Sequence, residues 1–368
     1  MTHDRVSAPF GLSRRELLRR GAIAGAGVAG FGLLPVGSSA AASSSAALAG
    51  SIEFLNYPQW IGPNEVKDFE RAHPKVTIKQ NNSAFTGSVA GTALIVAQNP
   101  KQFDMLLADL PVVGQLLAGG FVAKLDFARI PNRSLIDKRF RDVYTHGIPT
   151  DFGKMGIGYR KDMVKTPPTS WADLWAMAPK YKGKIVAYNL DRDMFGAALK
   201  YLGYSANTKS AAELQRAKNA LIHIKPYIKA FKAVDIASEL VHGSAAIAIT
   251  NDYDVAFAQT QNKQIAWVTP KEGTSAYLEG WVGVSQSSHL DVVEALANFH
   301  LEPRNYASFV NATGTSYTES AARRYMNKAI ANSPTIGTHD LSHVEFEQYL
   351  GPTTTQLITT LWEQVQAA

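Results

Sequence analysis

From Ser51 onward, short apolar runs alternate with stretches whose hydrophobic residues recur at helical spacing. Ile52-Glu53-Phe54-Leu55-Asn56 reads as a strand, and Pro63 to His73 as a helix entered through Gly62-Pro63. Val76 to Lys79 predicts a second strand, Thr86 to Gln98 a helix, and Phe103 to Leu107 a buried strand. Pro111 to Ala118 then predicts a helix stopped by Gly119-Gly120. The rhythm restarts after Ile148-Pro149. Met155 to Tyr159 is strand-like, and Ser170 caps a helix through Trp171 and Trp175. Lys184 to Tyr188 is a strand, and Asp191 to Leu202 a helix closed at Gly203. Ala211 to Ile228 reads as a long amphipathic helix interrupted by Pro226, and Ala245 to Thr250 and Ile265 to Val268 as further strands. Such β-α-β-α alternation predicts largely parallel sheets covered by helices on both faces. Two such units in 368 residues imply two α/β lobes with a cleft at the carboxyl ends of the strands, where ligands bind in open α/β sheets.

Composition narrows the classes. Hydrophobic residues are 46% and charged residues 18%, the profile of a folded globular chain. Cysteine is absent, which removes disulfides, thiolate metal sites, cysteine nucleophiles and lipid-anchoring cysteine. The formal charge of +6 is no phosphate-binding footprint. The first 48 residues carry half of it, with five arginines against Asp4 and Glu16. Nucleic acid is therefore not an expected partner.

The first 48 residues read as an address. Ser13-Arg14-Arg15-Glu16-Leu17-Leu18-Arg19 precedes an apolar core from Gly21 to Leu34, and Gly37-Ser38-Ser39-Ala40-Ala41-Ala42 supplies an A-x-A-like exit. The paired arginines mark a twin-arginine export signal, cleaved near residues 40–49, and imply a periplasmic destination. Retention of the segment as an anchor is the alternative. Gly25-Ala26-Gly27-Val28-Ala29-Gly30 matches the dinucleotide-binding pattern in letters only, because a basic head rather than a strand precedes it.

Several segments resemble the periplasmic spermidine/putrescine-binding proteins of polyamine ABC transporters. They are Thr169-Ser170-Trp171-Ala172-Asp173-Leu174-Trp175, Lys182-Gly183-Lys184, Leu202-Gly203-Tyr204-Ser205 with Asn207-Thr208, and Pro270-Lys271-Glu272-Gly273. The resemblance implies a two-lobed type II binding protein with mixed sheets and a hinged cleft. Residues 49–150 and 280–312 would form lobe 1, and 151–279 and 313–368 lobe 2. It also implies a monomer that binds a small cationic ligand, a polyamine, and hands it to a membrane ABC permease without cofactor or catalysis. Closure on the ligand follows because only the closed form makes contacts from both lobes.

A polyamine site needs carboxylates for its ammonium groups and aromatic faces for its methylenes and cation–π contact. Matched residue by residue, the resemblance assigns Tyr57 and Trp60 after the first strand as cleft aromatics. It assigns Asp109, where the family has a small hydroxyl residue, and Asp193 before the second-lobe helix. Asn251 stands where the family presents a large aromatic. Tyr277 and Glu279, spaced i and i+2, share one face of an extended segment and match the family's aromatic and acid. Glu347 falls on an expected glutamine. Leu190 and Pro111 depart from the family's acid and tyrosine. Bland roles compete: Asp109 as the cap of the Pro111 helix, Asp191 as a helix-end acid, and the aromatics as core.

The chain shows no G-x-S-x-G elbow, Walker loop or H-E-x-x-H, so an exported enzyme is a distant alternative. His339, Asp340, His343 and Glu345 could form a metal site only on a helix, and their segment is of uncertain helicity. Adjacent tyrosines, expected of a ferric-ion binder, are missing near the cleft positions. The serious competitor keeps the fold and binds another small amine, an opine or a sugar.

Overall fold

The computed structural model describes residues 48–57, 59–82, 89–337 and 341–368; residues 1–47, read above as an export signal, and His339–Asp340 lie outside them. Eleven strands form one connected sheet system. They are β1 (Gly50–Leu55), β2 (Val76–Asn81), β3 (Met105–Asp109), β4 (Ile148–Arg160), β5 (Ile185–Tyr188), β6 (Ile228–Lys232), β7 (Ile247–Asn251), β8 (Ile265–Val268), β9 (Thr274–Gly283), β10 (Ser316–Tyr317) and β11 (Val344–Phe346). The main order is β2-β1-β3-β9-β4-β7-β5-β6, with β8 and β10 on β4 and β11 on β9.

Two sheets share the 13-residue strand β4. Its first half pairs antiparallel with β9, and its second half pairs antiparallel with β7 and β8. Around this spine, β1 runs parallel to β2 and β3, and β5 runs parallel to β6 and β7. The result is mixed rather than largely parallel. The periodicity expectation missed this because β4, the shared antiparallel spine, is buried on both faces and carries no alternation to read.

Each sheet has its own apolar core. The first gathers Phe54, Phe69, Phe103, Phe140, Trp281 and Tyr306. The second gathers Trp171, Leu174, Phe195, Leu221 and Trp362, with a satellite around Ile236, Leu240 and Val255. Core membership passes from the first to the second between Phe152 and Met155, and back to the first at Leu278. Tyr317, Ala322 and Met326 belong to the first core, whereas Leu350 and the helix Pro352–Ala367 belong to the second. The chain is two-lobed.

Local chemistry explains the elements that frame the cleft. Ser170 Oγ accepts from the Asp173 amide at 2.8 Å, and the Asp173 carboxylate accepts from the Thr169 amide, which starts the helix Trp171–Met177. Pro226, lacking an amide hydrogen, ends the preceding helix at Ile224. The stretch expected to stay helical becomes a 3₁₀ turn and then β6. Gly203 closes the Asp191–Tyr201 helix with φ +78°, a conformation a side chain would strain.

Candidate functional site

The site begins with strand register. Asp109, the last residue of β3, lies directly opposite Glu279 of β9. Glu279 in turn lies opposite Asp151 of β4. Residues opposite one another on neighbouring strands project to the same face, so three carboxyl groups stand in line across three adjacent strands. A bulge at Thr150 creates the third position. Pro149 pairs with Gly280, yet Asp151 rather than Thr150 pairs with Glu279.

Asp151 is fully buried. It accepts from the Trp60 indole Nε1, 3.2 and 3.3 Å from its two oxygens, and from the Thr150 hydroxyl at 2.9 Å. Asp109 Oδ1 caps the helix Leu110–Ala118 by accepting from the Val112 amide at 2.8 Å. The bland role foreseen for Asp109 is therefore real and coexists with its place in the acid row.

Desolvation disfavours the charged form of each acid, and neighbouring acids add to the effect. Burial pushes the Asp109 carboxyl up to about 6, with Glu347 adding to the rise and the Val112 amide and Arg192 opposing it. Burial takes Asp151 to about 7, against the hydrogen bonds from Thr150 and Trp60. Glu279 is held well above the usual carboxylate range by burial, then by Asp151 and Asp109. Among the described residues, no lysine or arginine forms an ion pair with Asp109, Asp151, Asp193 or Glu279.

A second group of acids faces the row from the other lobe. Asp193, in the first turn of the Asp191–Tyr201 helix, is raised by burial, then by Glu347 and Asp191, and also feels Asp109. Glu347 is anchored by its amide, which donates to the Ala276 carbonyl at 2.9 Å, and its Oε2 lies 3.7 Å from Arg192 Nε. Burial raises it and Arg192 opposes that rise. Gly196 lets this helix approach β9, since a Cβ there would lie 2.3 Å from Ser275 Oγ. Asp191 is occupied locally: its Oδ1 accepts from the Arg192 amide at 2.7 Å and its Oδ2 from Thr359 at 3.1 Å.

Aromatic rings line the same space. Tyr57 and Trp60 meet edge to face at 6.2 Å between centroids, and Tyr57 is 40% exposed. Burial and then Glu279 and Asp109 raise the Tyr57 hydroxyl. Tyr277 crosses its strand partner Gly153, where a Cβ would come within 2.3 Å of the ring. Tyr253 lies 6.4 Å from Tyr277, and its hydroxyl is 3.0 Å from that of Tyr188. The Tyr277 hydroxyl and Asn251 Oδ1 are buried without a hydrogen-bond partner among the described residues.

Of the eight residues singled out in the sequence, Tyr57, Trp60, Asp109, Asp193, Tyr277, Glu279 and Glu347 surround one acid-rich space. Asn251, the eighth, ends β7 and is buried. The sequence reading missed Asp151, Tyr188 and Tyr253. Asp151 had a signal: it is an acid inside the apolar run from Ile148 to Tyr159. Glu345 is engaged with Lys200, the Ser205 hydroxyl and the Ala206 amide, and the described residues contain no group of three metal-ligating side chains.

A row of acids without an ion pair among the described residues, set in a two-lobed α/β protein, suits the capture of small solutes. The sequence profile of the bacterial extracellular solute-binding protein family matches residues 65–338, more than half of the chain, and the chain belongs to that family. Within it, the chain is 26% identical over 292 residues to the spermidine/putrescine-binding periplasmic protein of Escherichia coli K12, covering 78% of this chain and 82% of that one. It is 24% identical over 298 residues to a putrescine/cadaverine-binding protein of Pseudomonas aeruginosa, covering 77% and 83%. The fold superposes with a TM-score of 0.75 on the substrate-binding protein of a Streptococcus pneumoniae spermidine/putrescine ABC transporter. That match is 21% identical and covers 87% of this chain and 99% of the other.

Proposed function

We propose that the chain is the extracytoplasmic substrate-binding protein of an ABC importer, and that it holds a polyamine in the cleft for delivery to a membrane permease. The observation that carries this reading is the row Asp109, Glu279 and Asp151, none of which forms an ion pair with a lysine or arginine among the described residues. Burying carboxylates unpaired is costly, and a guest bearing ammonium groups removes that cost. Tyr57, Trp60 and Tyr277 supply faces for methylenes and for cation–π contact. The polyamine-binding relatives in Escherichia coli and Pseudomonas aeruginosa support the same ligand class.

The role requires export. Twin-arginine translocation, cleavage near residues 40–49 and a periplasmic, monomeric, non-catalytic protein make up that part of the proposal. We assign residues 49–150 to lobe 1 and 155–276 to lobe 2. We place the second return to lobe 2 between Phe346 and Leu350, because Tyr317, Ala322, Met326 and Phe346 pack in or against the first core and Leu350 in the second. Calorimetry and thermal shift with putrescine, cadaverine, spermidine, amino acids and sugars test the ligand class. Saturation at 100 times Kd stabilises a protein by about 2.7 kcal/mol. Saturable binding of sugars alone would refute the reading.

Arg192 favours one second reading. A guanidinium set among Asp191, Asp193 and Glu347 suits a ligand with an amine at one end and a carboxylate at the other. Preference for an amino acid or opine over the diamine of equal length would select it.

A further inference from the structure

A cavity of about 210 Å³ lies away from the acid row, lined by parts of β4, the β8–β9 connection and the start of β11. Among the described residues its charged lining is Lys154 and Lys271, beside the His343 ring, and no acid is part of it. Lys154 is the decisive member. It is 3% exposed, and its one ion partner among the described residues, Asp252 Oδ2, lies at 3.8 Å, outside hydrogen-bond range. A buried ammonium without a close acceptor is costly, and the cavity that Lys154 lines gives an acceptor access to it.

Among the described residues, the acids near the lining in sequence are engaged elsewhere. Glu272 accepts from the Trp171 and Ala172 amides at 3.0 and 2.9 Å, and Glu345 is taken by Lys200. Asp173, which feels Lys271, is held by the Thr169 amide and hydroxyl, both at 2.8 Å. The remaining wall combines the Thr269 hydroxyl with the apolar surfaces of Trp267 and Pro334.

We propose that this cavity is a second binding site, for a small organic carboxylate whose anionic end pairs with Lys154 and Lys271 and whose carbon chain lies against Trp267 and Pro334. The apolar wall favours a carboxylate over inorganic phosphate, which has no surface to place there. Because Lys154 also faces Asp252, next to Asn251, occupancy reaches the wall of the acid cleft through a single side chain. The site stands independently of the polyamine reading.

The test is calorimetric titration of the exported chain, at fixed chloride, with succinate, acetate and inorganic phosphate. Succinate is expected to bind saturably, and acetate more weakly. Lys154→Met should weaken succinate at least tenfold. Lys271→Ala, at an exposed position that leaves folding intact, should weaken it three- to tenfold while putrescine titrations stay unchanged. Absence of saturable succinate binding, phosphate binding tighter than succinate, or wild-type succinate affinity in Lys271→Ala would overturn the proposal.

Discussion

Glu279→Gln should move two measurable quantities in opposite directions. The side chain stands between Asp109 and Asp151 in the strand register, where paired residues have Cα atoms about 4.5–5.5 Å apart. Two unit charges about 5.5 Å apart repel by ~3 kcal/mol at an effective dielectric constant of ~20. Partial protonation and relaxation cut the net destabilisation to about 1 kcal/mol. Gln keeps the shape and removes the charge. The ligand-free variant should therefore melt higher at pH 8, by ~2–4 °C per kcal/mol for a lobe of this size. A bound ammonium loses a charged hydrogen-bond partner worth about 1.5–3 kcal/mol, so putrescine or spermidine affinity should fall roughly 10–100-fold. Differential scanning fluorimetry without ligand and calorimetry with it read both quantities. Unchanged affinity would remove Glu279 from the site. A lower melting temperature with lost affinity would refute the electrostatic argument and leave Glu279 a structural residue.

Binding should strengthen with pH. Asp109 at about 6 and Asp151 at about 7 must both ionise to pair a cation, so polyamine affinity should rise from pH 5.5 to 8, with protons released on binding near pH 6.5. Without ligand the sign reverses, because these pKa values lie above those of the unfolded chain. Their stability contribution is complete below pH ~4 and is lost as pH rises through 6 and 7. Titrations in buffers of different ionisation enthalpy check the first effect and melting curves across pH the second; affinity flat over the range contradicts the first, and a ligand-free melting temperature that does not fall from pH 6 to 7 the second. Asp151→Asn keeps an acceptor for the Trp60 indole and removes one charge, so affinity should drop about tenfold with Trp60 fluorescence little altered. A variant that binds like wild type would exclude Asp151 from ligand recognition. Gly153→Ala puts a methyl 2.3 Å from the Tyr277 ring, which must rotate away. Binding should weaken at least tenfold, and intact affinity would show that the ring does not contact the ligand.

How much of this was legible in the sequence depended on the kind of signal. Helices with clear caps, such as that begun by Ser170, were expected within a residue or two of where they lie, because cap chemistry is local. The Tyr277–Glu279 pair was placed on one face by the two-residue period of extended chain, and the register bears out that geometry. Strand neighbours were not legible. Glu279 meets Asp109 and Asp151 across separations of more than a hundred residues, and no local pattern encodes that pairing. Asp151 was overlooked for a further reason. Its approach to the cleft depends on a bulge, which period-two reading assigns to the wrong face. The mixed character of the sheet was hidden in the same way, by long strands with no polar side to betray their direction.

The shared strand architecture also sets an order on assembly. Residues 109, 151 and 279 carry no mutual charge penalty while β9 is detached, and meet only when it slides between β3 and β4. Closing the central sheet is thus the step at which negative charge converges. Refolding should be fastest in mildly acidic medium or with polycations present, conditions that relieve the convergence of charge at this strand insertion.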